Sequence, residues 1–331
     1  MSASVGIDVS AKKVDVVVLE KEQFHKALSY PQTPKGRDLL AKKLVKLKPK
    51  YVVMEATGMY YIDLAKALSD AGLPVCVINP KSFHHFAKLK LKGTKTDPID
   101  AALLAEYGAA FKPRNWTPPS DHRLQIRSIG RHINRLVGAR AKAKNRLHAL
   151  ESTETSPQLL LEDERLGIAQ LDQRIDMLRK EAIRLLQEEP ELERVYTSLS
   201  QAVGFGDASI LAILAELCVL PESLKSNQVS RYAGLDVRHS QSGSSVNTPG
   251  RLSRTGNSYL RTALFYPAMS ARTHDETTRL FYENMVGRGK KKKQALVAIM
   301  RKYLTALWAV YRSGEQFDPR LLFDVKTRKT A

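Results

Sequence analysis

Four acidic residues in the first hundred positions stand where strands or helices are predicted to begin or end. Asp8 lies inside a short apolar segment, and Glu55 directly follows another. Asp97 and Asp100 are three residues apart at a predicted helix start, so both point to one side of its first turn. A carboxylate in a buried strand is costly unless it is paired or ligates a metal. Four carboxylates meeting at strand ends would hold two hard divalent ions, the arrangement that promotes in-line phosphoryl transfer.

Each carboxylate also has a simpler interpretation. Asp97 would serve as a helix N-cap, and Glu55 as a solvated strand terminus. Asp8 is the hardest to explain in this way, because its neighbours on both sides are apolar. The ordered set of four favours a metal site over four unrelated carboxylates.

The first hundred residues predict an α/β unit that would position these carboxylates. Strands are predicted at Val5–Val9, at Lys13–Leu19 and, more weakly, at Gln23–Tyr30. They are too close in sequence for crossover helices and should form an antiparallel meander. The next predicted elements are a helix around Leu39–Leu47, a strand at Tyr51–Met54, a helix at Ile62–Leu68 and a strand at Pro74–Ile78. This order is that of a ribonuclease-H-like fold.

A proline-rich segment, residues 112–119, marks the end of this unit. Beyond it, apolar residues step by three and four over residues 126–150 and again over 168–185, as in a coiled-coil seam. The two helices would fold on each other or dimerise the protein. We predict a catalytic domain at 1–115, a coiled-coil arm at 116–192 and a mainly helical C-terminal domain at 193–331.

The charge of the chain is large and unevenly distributed. The 331 residues carry a net charge of +19, and the basic stretches 101–150 and 251–331 are separated by the acidic stretch 151–200. Blocks of one sign predict separate surfaces for a polyanion, most simply nucleic acid. Two cysteines exclude a disulfide framework and a four-cysteine zinc site. With no apolar run of membrane-spanning length and no signal-peptide pattern, we expect a reduced, cytosolic protein.

A polar island at residues 238–250 contains Ser242 and precedes Arg251 and Arg254. Such composition is usually a flexible loop. The functional interpretation is a serine nucleophile with arginines that stabilise the developing phosphate charge. The Gly-x-Ser-x-Gly pattern of hydrolases is absent from the island. Upstream, Val203–Gly206 resembles the glycine turn of a phosphate-binding helix-hairpin-helix, or is an ordinary turn.

Seven short motifs occur in order along essentially the whole chain. They are Gly6–Asp8, Met54–Gly58, Ile78–Pro80, Lys95–Ala101, Tyr232–Leu235, Ser242–Ser245 and Arg251–Asn257. Together they resemble the DEDD-type insertion-sequence transposases of the one-ten family, which are related to the pilin-gene inversion recombinases. One departure is Val237, where the family often has proline after Gly-Leu, and it keeps Ser244 as an alternative nucleophile.

The resemblance implies a RuvC-like N-terminal domain, a coiled-coil arm and a C-terminal transposase domain. It further implies that Ser242 is the nucleophile, forming a phosphoserine link to DNA. The partners implied are target and donor DNA, a structured non-coding bridge RNA, and copies of the chain in dimers and tetramers with shared active sites. The acidic tetrad that would bind Mg²⁺ comprises Asp8, Glu55, Asp97 and Asp100.

Basic residues are then predicted to hold nucleic acid. Arginines spaced by four form one stripe on the arm, and with no acidic partner at i±4 they favour RNA binding over a solvated flank. Lysines of the segment 81–95 would hold the scissile strand beside the acidic site, while Lys290–Lys293 is either a phosphate clamp or a solvated loop. The residues assigned are Lys88, Lys90, Lys92, Lys95, Arg123, Arg127, Arg131, Arg135, Arg251 and Arg254.

The leading hypothesis is therefore an RNA-guided DNA recombinase that cuts and rejoins strands through Ser242. One alternative is a metal-dependent, structure-specific DNA nuclease resembling Holliday-junction resolvases, in which water attacks the phosphate. A second alternative is a non-catalytic nucleic-acid-binding scaffold.

Overall fold

The computed structural model describes residues 3–56, 58–90, 96–242, 246–318 and 322–323. The chain divides into two compact units, residues 1–118 and residues 119–331. None of the helices in the described ranges combines the length and the apolar composition that a bilayer span requires.

The first unit alternates strands and helices in the order that the sequence predicts, with one further helix, Pro80–Leu89, that was not predicted. Its strands are β1 (Ser4–Val9), β2 (Lys13–Glu20), β3 (Gln23–Phe24), β4 (Leu28–Pro31), β5 (Tyr51–Glu55) and β6 (Val75–Ile78). Its helices are α1 (Pro34–Leu47), α2 (Tyr61–Asp70), α3 (Pro80–Leu89) and α4 (Asp97–Phe111). The third predicted strand is divided into β3 and β4, and both pair with β2.

β1 lies at the centre of a mixed sheet with the strand order β3-β2-β1-β5-β6. β2 runs antiparallel to β1, whereas β5 runs parallel to β1 and β6 parallel to β5. This is the strand order of the ribonuclease-H-like fold. Because β1 and β5 are parallel, their carboxyl ends meet at one edge of the sheet, where Asp8 and Glu55 lie.

Successive residues of β1 point to opposite faces of the sheet. Val5 and Ile7 are fully buried in a core shared with α1 and α2. On the other face Ser4 Oγ donates a hydrogen bond of 2.7 Å to the carbonyl oxygen of Ala105 in α4. The sheet therefore lies between α1 and α2 on one side and α4 on the other.

α4 approaches β1 more closely than side chains would permit. A Cβ atom at Gly6 would lie 2.0 Å from the carbonyl oxygen of Ala101, and one at Gly108 would lie 2.5 Å from Ser4 Oγ. Glycine at both positions lets the helix backbone rest directly on the strand. This contact sets the distance between the carboxyl end of β1 and the first turn of α4.

The second unit consists mainly of helices in its described part. They are α5 (Asp121–Glu151), α6 (Gln158–Gln187), α7 (Pro190–Ser200), α8 (Asp207–Leu217), α9 (Ser226–Tyr232), α10 (Ser258–His274), α11 (Glu276–Gly287) and α12 (Lys292–Ser313). One antiparallel pair of strands, β7 (Val237–Ser242) and β8 (Val246–Leu252), lies between α9 and α10.

α5 and α6 pack against each other along the predicted apolar seams. Ile126 and Ile133 of α5 share a buried core with Ile175 and Leu185 of α6. Arg140, the polar member of the α5 seam, forms an ion pair with Asp172 across the two helices. Within the chain the two helices thus form a hairpin, one of the two arrangements that the sequence leaves open.

The base of this hairpin belongs to the core of the second unit. α5 packs on α8 so closely that a Cβ atom at Gly130 would lie 2.7 Å from the Cβ atom of Ala215. Large side chains of α12, among them Trp308 and Tyr311, complete the same core. Residues 119–331 form one compact unit, and a division of this part at residue 192 stays a prediction.

One local prediction in this unit is wrong. The island 238–250, predicted as a loop, contains the paired strands β7 and β8. Its strands are identified by backbone pairing. The sequence of the island lacks the alternation of apolar and polar residues from which a strand is predicted. The glycine turn at Val203–Gly206 lies between α7 and α8, and a Cβ atom at Gly204 would lie 2.8 Å from the carbonyl oxygen of Pro267 in α10. A phosphate-binding role for this turn stays a prediction.

Candidate functional site

The carboxylates of Asp8 and Glu55 project from one face of the sheet. The parallel register pairs Ile7 with Met54, which places Asp8 beside Glu55 one residue later. Asp8 lies on the same face as Gly6, the face on which α4 rests. Both side chains are half-buried at the carboxyl ends of their strands.

α4 supplies the other two predicted carboxylates. Its N-cap is Thr96, and Asp97 and Asp100 both belong to the first turn. Asp97 is thus the first residue of the helix and not its N-cap. Because the α4 backbone rests on β1 at Gly6, the start of the helix faces the carboxylate of Asp8.

The pKa of the Asp8 carboxyl group reflects its burial and its acidic neighbours. Burial raises its pKa to about 6, and the like charges of Asp100, Asp97, Asp15 and Glu55 contribute to the rise, in that order of influence. Burial and neighbouring negative charge both disfavour the ionised form. All four predicted residues therefore act in one electrostatic site.

Two residues of this site were missed by the sequence interpretation. Asp15 of β2 is the direct cross-strand neighbour of Asp8, and its side chain is only 8% exposed. Lys13 places its ammonium group 2.8 Å from Asp15 Oδ2 and 3.1 Å from Asp97 Oδ2. Hydrogen bonds to Asp15 and then to Asp97 raise the pKa of Lys13. The alternation of polar and valine residues in β2 was visible, but its register against β1 was not.

The donor chemistry of the site suits a hard divalent cation. Carboxylate oxygens are the preferred ligands of such ions, and burial, followed by the neighbouring negative charges, raises the pKa of Asp8. Among the described residues, however, no group of three or more His, Cys, Asp or Glu side chains stands in an arrangement that could hold a metal ion. The carboxylates are gathered at one place, and the ammonium group of Lys13 lies among them.

The predicted lysine segment is described in part. Lys88 is exposed at the end of α3. Lys90 forms an ion pair with Glu106 of α4 and lies 5.6 Å from the ring centre of Phe86, so it ties α3 to α4. The other two predicted lysines, Lys92 and Lys95, lie outside the described residues.

Ser242 is the last residue of β7, where the backbone pairs in register with Val246 of β8. The alternative nucleophile, Ser244, lies outside the described residues. Arg251, near the end of β8, pairs in register with Arg238 and is exposed. Arg254 is also exposed and has a positive φ of 50°.

The base of this hairpin is closed by contact between two of the sequence motifs. Gly234 has a φ of 68°, and a Cβ atom there would lie 2.7 Å from the amide nitrogen of Gly256. Arg261 donates hydrogen bonds of 2.8 Å and 3.0 Å to the carbonyl oxygens of Ala233 and Gly256. Both glycines are therefore required by backbone packing.

A buried polar network lies next to this base. Glu216 of α8 is 1% exposed and accepts two hydrogen bonds from Arg131, of 2.6 Å and 2.9 Å. Asn257 donates to Glu216 at 2.6 Å and to the Tyr232 hydroxyl at 3.0 Å. The Arg131 guanidinium also lies 5.0 Å from the ring centre of Tyr259. The network joins α5, α8, α9 and the start of α10.

The four arginines predicted as one stripe have different surroundings. Arg131 is held in the network just described, and Arg123 forms ion pairs of 2.7 Å and 2.8 Å with Glu189 and Glu191. Their acidic partners come from distant sequence positions, which local spacing does not reveal. Arg127 is half-buried and Arg135 exposed, and among the described residues no carboxylate forms an ion pair with either. The nucleic-acid role of the stripe stays a prediction that now depends on these two.

Comparison with known protein families gives two matches. Residues 5–152 match the DEDD transposases of the IS110 type, and residues 196–283 match the family described as Transposase IS116/IS110/IS902. The first match contains all four predicted carboxylates, and the second contains the β7–β8 hairpin.

Individual proteins are similar to this chain to different degrees. The pilin gene-inverting proteins of Moraxella bovis and Moraxella lacunata are each 31% identical over 272 residues, which cover 82% of this chain and 83% of theirs. An uncharacterized 43.6 kDa protein of insertion element IS110 from Streptomyces coelicolor is 29% identical over 140 residues, 42% of this chain and 33% of that protein. Among solved structures, Thermus thermophilus RuvC in complex with a Holliday junction substrate aligns with 35% of this chain and 100% of its own, at 13% identity and a TM-score of 0.26. By its family matches and its Moraxella relatives, this chain belongs to the IS116/IS110/IS902 family of transposases, enzymes of DNA recombination.

Proposed function

We propose that this transposase is an RNA-guided recombinase that cuts and rejoins DNA through Ser242, with a divalent cation held by its acidic tetrad. The observation that carries the proposal is the gathering of Asp97, Asp100 and Glu55 around the half-buried Asp8. A cluster of like charges at the carboxyl edge of a sheet is costly for folding alone, so a function that uses it is favoured.

The tetrad's task is to hold the cation where the scissile phosphate binds. Asp8 and Glu55 are fixed by the sheet, and Asp97 and Asp100 by the first turn of α4, so the ligands would come from rigid elements. Mg²⁺ is the ion we propose, and when bound it would neutralise the charge that develops on the phosphate oxygens.

The task of Ser242 is nucleophilic attack. Its hydroxyl oxygen would form a bond to the phosphorus while the bond from phosphorus to one sugar oxygen breaks. The hydroxyl loses its proton, and the departing sugar oxygen gains one. The phosphoserine ester keeps the phosphate activated, so attack by a sugar hydroxyl of another strand reverses the step and rejoins DNA. Arg251 and Arg254, both exposed near the end of β8, would stabilise the phosphate charge.

Cutting followed by rejoining fits the gene inversion for which the Moraxella relatives are named. To invert a gene, DNA must be cut at both ends of the segment and rejoined in the opposite orientation. Guidance by a bridge RNA is proposed from the sequence motifs of the family. We further propose that tetramers built from two dimers assemble the active sites between subunits.

The test is to look for DNA covalently attached to the protein. The full chain is incubated with Mg²⁺, target and donor DNA, and RNA transcribed from the non-coding stretch flanking its reading frame, and the denatured products are separated by mass. We expect an adduct with the wild-type chain and none with Ser242→Ala, while Ser242→Ala keeps wild-type RNA affinity. An adduct that persists in Ser242→Ala would transfer the role to another residue, with Ser244→Ala as the next variant. Cleavage that releases free ends without any adduct would favour the metal-dependent nuclease.

A further inference from the structure

The acidic site contains a cation supplied by the chain itself. The ammonium group of Lys13 contacts both Asp15 and Asp97. Lys13 begins β2 and Asp97 begins α4, so this contact joins the sheet to the helix that carries half of the tetrad. Neither Lys13 nor Asp15 belongs to the predicted tetrad.

Asp15 explains why a lysine is needed at this position. Its side chain is 8% exposed, and it lies directly across from Asp8 in the antiparallel register. A buried carboxylate beside another carboxylate is costly unless a cation accompanies it. Lys13 lies two residues earlier on the same face of β2 and supplies that cation at 2.8 Å.

The second contact of Lys13 has a consequence for metal binding. The ammonium group takes up part of the lone-pair capacity of the Asp97 carboxylate, and its positive charge opposes a divalent ion at the same carboxylate. Lys13 is about half exposed and has a flexible stem, so it can leave Asp97 while it stays on Asp15. The two cations therefore compete for one carboxylate.

We infer that Lys13 is an internal counter-ion that competes with the divalent cation for Asp97, and that Asp15 is the positioning residue that keeps Lys13 at the site. The inference rests on the proposed function of the tetrad as a divalent-ion site. Before the ion binds, Lys13 neutralises part of the charge of the carboxylates. After the ion has bound Asp97, Asp15 keeps Lys13 at the site.

The neighbouring residue provides a matched control. Lys12 is also exposed and carries the same charge, and among the described residues no carboxylate forms an ion pair with it. A charge that makes no contact with the tetrad is largely screened by water and salt. If Lys13 acted only through its charge on the surface, Lys12 and Lys13 would be equivalent.

The experiment measures binding of Mg²⁺ and of Mn²⁺ to the full chain by calorimetry, without nucleic acid and at constant ionic strength. We expect Lys13→Gln to tighten ion binding about 3- to 10-fold, because it removes a competing charge at contact distance. Lys12→Gln should change ion affinity less than about twofold, and Lys13→Arg should stay near the wild-type affinity. Equal effects of Lys13→Gln and Lys12→Gln, or weaker binding in Lys13→Gln, would overturn the inference.

The role of Asp15 is tested by a double-mutant cycle on the same measurement. In an Asp15→Asn background Lys13 is no longer retained, so adding Lys13→Gln should tighten ion binding by about twofold or less. The same factor in both backgrounds would remove Asp15 from the inference. Thermal unfolding of each variant confirms that the measured chains are folded.

The outcomes separate this inference from the proposed function. If neither the wild-type chain nor Asp8→Asn binds Mg²⁺ or Mn²⁺, the metal site and the inference are overturned together. A wild-type chain that binds the ion, with Lys13→Gln matching Lys12→Gln, would overturn the inference and leave the metal site standing.

Discussion

Asp8 shows at the scale of one residue how burial and like charges combine. Its carboxyl group lies on the central strand, between Asp15 on β2 and Glu55 on β5, and faces the first turn of α4. A structural role alone would be served better by a neutral side chain of the same size. The cost of ionising Asp8 here is the strongest physical sign that its charge is used.

Replacement of Asp8 by Asn separates chemistry from folding. Asp8→Asn keeps the shape of the side chain and removes one of several mutually repelling charges, so we expect the midpoint of thermal unfolding to stay the same or rise. Strand cleavage should be abolished, because a ligand oxygen with full negative charge is removed. A cleavage assay and an RNA-binding titration on the same preparation check this, and RNA affinity should stay close to wild type. Unchanged cleavage would remove the metal-site interpretation.

Glu216 is a buried carboxylate of the second unit, and its charge is neutralised within the fold. It is almost fully buried, and its oxygens accept hydrogen bonds from Arg131 and Asn257. Truncation would leave the guanidinium group of Arg131 without its counter-charge. Glu216→Ala should therefore lower the free energy of unfolding by about 3–5 kcal/mol.

Urea unfolding measures this effect, and Glu181→Ala is the control. Glu181 is an exposed glutamate of α6 that pairs with Arg184 on the same helix. Its removal should cost less than about 1 kcal/mol. Similar costs for Glu181→Ala and Glu216→Ala would contradict the network described next to the hairpin base.

At the scale of elements, the contact between α4 and β1 assembles the acidic site. Asp8 and Asp97 are far apart in sequence, and a glycine in each element lets the two backbones touch. In the motif Gly6–Asp8, Gly6 therefore allows α4 to pack on the strand, and Asp8 carries a carboxylate that faces the first turn of that helix. The β7–β8 hairpin follows a similar design, since Gly234 and Gly256 let its flanking segments meet.

Gly6→Ala tests this arrangement. The added Cβ atom would overlap the carbonyl oxygen of Ala101, so α4 must move away from the sheet. We expect a decrease of about 1–3 kcal/mol in the free energy of unfolding. Cleavage should fall further than this decrease in stability explains, because the first turn of α4 moves with the helix.

Gly138→Ala is the matched control for this change. Gly138 lies in α5, and a Cβ atom there would meet no other atom within 4 Å. Alanine should stabilise that helix by up to about 1 kcal/mol. Denaturant unfolding and cleavage measured on both variants distinguish overlap at Gly6 from a general effect of alanine. Cleavage retained in folded Gly6→Ala would show that the spacing of α4 is not critical.

At the scale of the whole molecule, the net charge of +19 includes cations with different uses. Arg123 and Arg131 belong to ion pairs inside the second unit, and Lys90 ties α3 to α4. The positive charge available to phosphate is therefore smaller than the count suggests. Arg127 and Arg135 are the members of the predicted stripe for which the described residues provide no ion pair.

The salt dependence of RNA binding tests that difference. The double variant Arg127→Gln and Arg135→Gln should lower the slope of log affinity against log salt by about 0.7–0.9 for each phosphate that an arginine no longer neutralises. The control, Lys43→Gln with Lys46→Gln, removes the same charge from α1 and should leave the slope unchanged. If both double variants have the wild-type slope, the stripe is a solvated face.

Local patterns were sufficient for the order of the strands in the first unit and for naming four carboxylates that lie near one another in it, but they missed the β7–β8 hairpin. The valine-rich strands and the acidic residues at their ends are short-range features, and the ordered motifs of a family extend over the whole chain. The seam between α5 and α6 was equally visible, because the period of apolar residues reports which face of a helix is buried. Each of these features depends on residues that are neighbours in sequence or within one turn.

Contacts between residues that are distant in sequence could not be predicted from such local patterns. The register of β2 against β1 places Asp15 beside Asp8, and a shift of one residue would have turned it to the other face. Likewise, the acidic partners of Arg123 and Arg131 lie at least 66 positions away in sequence. Composition thus identified which charges the protein has, whereas the packing of α4, α7 and α8 decides their partners: the ion pairs of Arg123 and Arg131 join segments of the second unit, and acidic neighbours lie around Asp8.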